Sequence, residues 1–208
     1  GAKVSGFDKL LLTEFLGLEV DIVFQNRHNI RLHRNDSKEL ILGDVLFGLP
    51  REDWMTLSSL PVPPLKTWVL PSSIDGVNVL DRQIPVIYGD DPGDANFAQL
   101  EENKVYLGID IFGSSFYMLT RYEEVVRKER DERGRFSAKS SLAYNEGFLL
   151  RPIVNEYLEI LWWALEYLWP GMKRKRRQYS VLLSHDVDAP LCVAGNSSLR
   201  VFKSVAGD

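Results

Sequence analysis

A helix is written into residues 152–169. Val154, Tyr157, Leu158, Leu161, Leu165 and Leu168 recur at helical spacing and fall on one face. Pro152 suits a first helical turn, where its missing N–H costs nothing, and Pro170-Gly171 ends the run. A helix with a single apolar stripe has to bury that stripe against another layer, so the chain must supply one.

Short apolar, strand-like runs upstream provide it. Val20–Gln25, Asn29–Arg34 and Glu39–Gly43 read as strands, with Asn35-Asp36-Ser37 as the turn between the last two. Thr67–Leu70 and Gln83–Tyr88 read as further strands, and Lys104–Ile109 as a buried one, followed by a helix marked by Phe112, Phe116, Leu119 and Val126. Phe7, Leu10, Leu11, Phe15 and Leu16 predict an amphipathic helix stopped at Gly17. Leu46–Leu60 is expected to be partly helical with Trp54 and Leu57 inward, and Pro61-Val62-Pro63-Pro64 to run extended. Gly89–Asp94 and Asp131–Lys139 have loop chemistry. Strands alternating with helices predict an α/β domain with a sheet flanked by helices, and the closely spaced strands over residues 20–43 predict a mixed sheet.

The domain is expected to span residues 1–171, with 172–178 as a basic linker. The run Lys173-Arg174-Lys175-Arg176-Arg177 follows a helix C-terminus, where positive charge is stabilised. It has no interleaved aromatics or Gly-rich loops, and the net charge of −4 gives no general attraction to nucleic acid. No nucleic-acid partner is expected. One cysteine, Cys192, excludes an intrachain disulfide framework and suits a reducing, cytoplasmic setting. No transmembrane segment is expected, because no apolar run reaches the roughly 18 residues that a spanning helix needs.

Tyr179–Ser184 reads as a new strand that delivers His185-Asp186-Val187-Asp188. Strand ends of this kind carry functional groups in parallel α/β folds. Two carboxylates two residues apart can divide the labour, one binding a divalent metal and the other taking a proton from metal-bound water. On pattern alone, turn and cap residues explain the pair equally well.

Leu183-Ser184-His185-Asp186-Val187-Asp188 resembles the first motif of the polysaccharide deacetylase superfamily, the NodB-type or family 4 carbohydrate esterases, in the bacterial branch that reads His-Asp-Val-Asp. The blocks from Asp110 to Glu124 and from Gly147 to Tyr157 are similar to an uncharacterised domain that precedes the deacetylase domain in such bacterial proteins. The resemblance implies that residues 179–208 are the incomplete start of a distorted (β/α) barrel removing acetyl groups from amino sugars. It implies Asp186 as general base and Asp188 as ligand of a divalent metal, usually zinc, completed by two histidines. Val187 stands between aspartates that are adjacent in the commoner motif, so the reverse assignment stays open. His185 reads as a hydrogen-bonded neighbour. The other histidines, His28 and His33, lie upstream and would point to opposite faces of a strand.

The expectation is therefore an accessory region of a carbohydrate deacetylase, inactive as residues 1–208, with a carbohydrate as the whole protein's substrate. A non-catalytic interaction or homo-oligomerisation module is the alternative, for which Trp162-Trp163 and Trp169 would supply apolar surface. A metal-dependent nuclease ranks last. Asp110 with Ser114 and Ser115 could bind an anion at a helix start, but capping explains the same residues. Arg121, Glu123 and Glu124 read as an exposed charged face, and Arg151 as either a buried ion-pair partner or a binding residue.

Overall fold

The computed structural model describes residues 5–21, 23, 29–90, 96–175 and 178–184. The chain divides into two units, Gly1–Lys175 and Arg176–Asp208. The first is a mixed α/β domain. Its four-stranded sheet has the order β1 (Asn29–His33), β2 (Glu39–Gly43), β6 (Lys104–Leu107), β5 (Ala98–Glu101). β1 pairs antiparallel with β2, and β5 antiparallel with β6, whereas β2 and β6 run parallel at the centre. β3 (Lys66–Val69) and β4 (Gln83–Val86) form a separate antiparallel pair.

Register explains how the sheet is dressed. Leu40 stands beside Val105 and Leu42 beside Leu107, and all four are buried. The long helix α5 (Ile153–Leu168) packs on β2 and β6 and also against α2 (Ile111–Leu119). The alternate positions Asn29, Gln99, Glu101, Lys104 and Tyr106 edge a shallow depression over Ile41, so the second face is largely polar. That alternation is what a sheet with one covered face requires.

The expected long helix forms, with Pro152 at its N-cap. Its C-terminal end is held by the turn between β1 and β2. Lys38 Nζ donates to the Leu168 carbonyl at 2.5 Å, and Trp169 Nε1 donates to Asp36 at 2.8 Å. A cation at a helix C-terminus meets the unsatisfied carbonyls and the negative end of the dipole.

Other expectations need correction. The first helix is α-helical only over α1 (Ser5–Leu10) and widens to a π-helix over Leu11–Leu16, ending at left-handed Gly17. Widening changes which residues face inward: Leu11, Leu12 and Leu16 are buried, while Leu10 is exposed. Leu46–Leu60 is a series of turns with one 3-10 turn at Leu57–Ser59, and Leu57 is exposed. Thr56 Oγ1 donates to the Asp53 carbonyl and Ser59 Oγ to the Thr56 carbonyl, local bonds that compete with an α-helix. Trp54 does pack inward, stacked on Phe47 at 5.8 Å. The helix after β6 breaks at left-handed Arg121 into α2 and α3 (Tyr122–Val126).

α4 (Leu142–Asn145) and β5 were not anticipated. The strand expected over Val20–Gln25 and the loop over Gly89–Asp94 fall partly outside the described residues; Val20 and Asp21 are not in a strand. In the second unit, Tyr179–Ser184 forms no strand, and Tyr179, Val181, Leu182 and Leu183 are exposed. Without pairing partners for its backbone groups, an apolar run gains little from extension. The described residues hold no (β/α) barrel start.

Candidate functional site

The parallel pair at the centre of the sheet brings two aspartates together. β2 runs out through Gly43 into Asp44, and β6 runs out through Gly108 and Ile109 into Asp110. Asp110 is fully buried and caps α2: Gly113 N donates to Oδ1 at 2.7 Å. Its other oxygen, Oδ2, accepts from Val45 N at 2.9 Å and Leu46 N at 2.8 Å. One carboxyl group thus ties the turn after β2 to the first turn of the helix after β6. The fit demands glycine at 113, where a Cβ would lie 2.8 Å from both Asp110 Cγ and Leu46 Cβ.

A third carboxylate arrives from α1, whose Phe7 ring meets Phe116 of α2 edge-on at 5.2 Å. Asp8 Oδ1 is buried without a hydrogen-bond partner. Burial, then the negative charges of Asp110 and Asp44, push the Asp8 carboxyl up to about 7. Burial pushes Asp110 up to about 7 as well, against the opposing pull of the backbone N–H donors, with Asp44 adding to the rise.

Neutral hydroxyls surround this junction. Tyr88 donates to the Ser59 carbonyl at 2.6 Å, and Ser59 Oγ lies 2.9 Å from the Tyr122 hydroxyl, which accepts from Met55 N at 2.8 Å. Tyr157 donates to the Pro85 carbonyl at 2.5 Å, and Ser114 Oγ accepts from Tyr88 N at 3.2 Å. Burial raises Tyr88, Tyr117 and Tyr157 well above the ordinary phenol range, so they act as fixed donors rather than bases. Their partners include backbone groups of β4, of the 3-10 turn at Leu57–Ser59 and of the segment that follows β4. The network holds loops to the core.

Arg151 resolves into an ion-pair partner. It lies 2.8 Å from Glu156, which is 2% exposed and also accepts from Leu80 N at 2.9 Å. The guanidinium also donates to the carbonyls of Gln83 at 2.7 Å and Asp81 at 3.1 Å. Glu123 is buried too, accepting from Leu142 N at the start of α4 and facing Arg127 at 3.1 Å.

Asp186 and Asp188, with His185 and His28, lie outside the described residues. Asp110 takes the capping role preferred from the sequence, and Ser114 serves the backbone. Ser115 Oγ is buried without a partner. Arg121 pairs with Glu124, as an exposed charged face would, but Glu123, expected on the same face, is buried where it accepts from Leu142 N and meets Arg127. Among the tryptophans, Trp169 is buried, Trp163 stacks on Tyr167 at 5.6 Å, and Arg174 covers Trp162 at 5.8 Å. Within the basic run, Arg174 pairs with Glu159 at 2.7 Å and Lys175 N donates to the Leu16 carbonyl, so these two residues belong to the folded unit.

Two residues of the acidic junction escaped the sequence reading. Asp44 follows a strand end as Asp110 does, and Asp8 sits three and four positions before the buried Leu11 and Leu12. A carboxylate on the apolar side of a helix was the available signal.

Among the described residues, no group of three or more His, Cys, Asp or Glu side chains is arranged to hold a metal ion. No described helix is long and apolar enough to cross a membrane.

Fold and junction together define a mixed α/β domain whose buried carboxylates organise its loops. The chain belongs to the family described as a family of unknown function (DUF7033), whose model matches residues 7–170. No curated protein and no solved structure matches the chain.

Proposed function

We propose that this family domain is the accessory region of a metal-dependent carbohydrate deacetylase, and that residues 1–208 do not themselves turn over substrate. The observation that carries the reading is positional. The family match ends at residue 170 and the first unit at Lys175; the apolar run Tyr179–Ser184 and the His185-Asp186-Val187-Asp188 motif come directly afterwards. Support from the domain itself is chemical. The buried carboxylates of Asp110 and Glu156 are committed to backbone N–H groups and to Arg151, and in this reading the catalytic work falls to residues after the domain.

In this reading Asp186 is the general base and Asp188 one metal ligand, the remaining ligands being supplied by sequence other than residues 1–208. The substrate class is an N-acetylated amino sugar polymer. The test is to express the full reading frame around this sequence and measure acetate release from N-acetylated chito-oligosaccharides with zinc added. Acetate release that disappears in Asp186→Asn while bound zinc is retained supports the proposal. Absence of acetate release, or an Asp186→Asn enzyme as active as its parent, defeats it.

A further inference from the structure

The sheet face that carries Ile41 is divided into two unlike halves. On β1 and β2 it satisfies itself: Arg31 Nη1 donates to Glu39 Oε1 at 2.8 Å, and Arg31 Nε to Asn29 Oδ1 at 3.0 Å. On β5 and β6 it does not. Glu101 and Lys104 are register partners across the hairpin, and Gln99 stands opposite Tyr106. Among the described residues, however, the Gln99, Glu101 and Lys104 side chains make no hydrogen bond or ion pair, and all three are exposed. Here lies a depression of about 150 Å³, lined by Asn29, Ile41, Gln99, Glu101, Lys104 and Tyr106. Ile41 is its buried floor, and the half-buried Tyr106 is the neighbour of Ile41 on β6. All four strands contribute to the lining, so the sheet's hydrogen-bonded ladders fix its spacing.

The chemistry of the lining selects a ligand class. Its two ionised groups, Glu101 and Lys104, are opposite in sign, and Arg31 and Glu39 beside them cancel as well. An anion would meet Glu101 and a cation Lys104, so the face is matched to a neutral ligand. Gln99 offers both amide donors and an acceptor, whereas Asn29, its oxygen taken by Arg31, offers its NH₂ group. Ile41 and the Tyr106 ring supply apolar surface. The volume is well below the roughly 300 Å³ at which pockets take a drug-sized molecule, so a single ring-sized unit fits. A neutral ring with an apolar face and a hydrogen-bonding rim is a sugar.

We propose that this depression is a saccharide subsite that holds one unit of a neutral N-acetylated amino sugar chain, with the acetamido group on the Gln99 amide. The N-acetyl identity rests on the proposed function; the neutral, ring-sized ligand rests on the lining. An open site of this size binds a single unit weakly, and a polymer raises the effective concentration of units at it.

Backbone amide shifts of the 208-residue chain, titrated with the tetramer of N-acetylglucosamine, read the site directly. Saturable shifts are expected over residues 99–106, with weaker binding of cellotetraose, which carries hydroxyls in place of the acetamido groups. Gln99→Ala removes an exposed side chain, so the fold is kept. It should weaken the N-acetylated tetramer by about three- to tenfold, the worth of a hydrogen bond, and leave cellotetraose unchanged. Absence of saturable shifts on this face overturns the subsite, as does equal affinity for the two tetramers or a Gln99→Ala chain that binds like its parent. Binding is read on residues 1–208 and acetate release on the full reading frame. Loss of the subsite with acetate release intact is therefore distinguishable from loss of the deacetylase reading with binding intact.

Discussion

The domain buries carboxylates in two places and treats them in opposite ways. At the start of α5, Glu156 faces the Arg151 guanidinium and accepts from the Leu80 backbone, so its charge is matched where it lies. At the ends of β2 and β6, Asp110 receives three backbone N–H groups and, among the described residues, has the carboxylates of Asp44 and Asp8 acting in its neighbourhood. The first arrangement is a fixed strut whose strength depends on both partners being ionised. The second holds two acids, Asp8 and Asp110, that burial pushes up to about 7. The contrast teaches that burial alone does not specify a carboxylate's role; the sign of what is buried with it does.

The largest effect should come from breaking the strut. Arg151→Met leaves Glu156 buried without its counter-charge, and removing one partner of a buried pair costs about 3–5 kcal/mol. Urea denaturation should show that loss, and the double variant Arg151→Met with Glu156→Gln should recover much of it. A double variant as unstable as the single one would mean that Arg151 matters for its bonds to Gln83 and Asp81, not for charge. At the acidic junction, Asp110→Asn places an amide NH₂ where one oxygen now accepts, facing N–H donors. Leaving buried donors unsatisfied costs about 1–3 kcal/mol. Gly113→Ala belongs to the same range, about 1–3 kcal/mol for overpacking, because the neighbours of a new Cβ are the capping carboxyl and the Leu46 stem. If Gly113→Ala melts with the parent, the junction is looser than its geometry indicates. Tyr122→Phe should cost about 1–2 kcal/mol, the net worth of two hydrogen bonds, by removing the partner of Met55 N and one of the two partners of Ser59 Oγ, which keeps its bond to the Thr56 carbonyl.

How much of this was legible beforehand depends on whether the signal is local. α5 could be read because its apolar stripe and its Pro and Gly boundaries lie within one stretch of chain. β1 and β2 could be read because the Asn35-Asp36-Ser37 turn separates two apolar runs. β5 could not: Ala98-Gln99-Leu100-Glu101 has no β-branched residue and becomes a strand only through its pairing with β6 across Glu102-Asn103. Of the partial helix expected in Leu46–Leu60 only the 3-10 turn at Leu57–Ser59 forms, since the Thr56 and Ser59 hydroxyls there bond backbone carbonyls locally. Asp110 was legible as a cap. Its partnership with Asp44 and Asp8 was not, because it depends on β2 and β6 being parallel neighbours, which no short window encodes. Arg151 was left between two roles until Glu156, five residues on, was seen to turn back towards it.

The smallest effect is the one that isolates burial from pairing. Asp131 and Arg135 repeat the carboxylate–guanidinium chemistry of Glu156 and Arg151, with Arg135 Nη2 2.9 Å from Asp131 Oδ2. Backbone N–H and side-chain donors from Arg135, then Arg133 N–H, hold the Asp131 carboxyl below the usual range. By linkage, any stabilisation from that shift is present above the ordinary carboxylate range and lost as pH falls through the lowered value, the opposite sense to Asp8. Arg135 is largely exposed, however, and exposed pairs contribute little because solvent screens the charges. Arg135→Ala should therefore melt within experimental scatter of the parent at pH 7, measured in parallel with Arg151→Met. If the two variants lost comparable stability, burial would not be what separates the two pairs, and the account of Glu156 as a charge-matched strut would have to be abandoned.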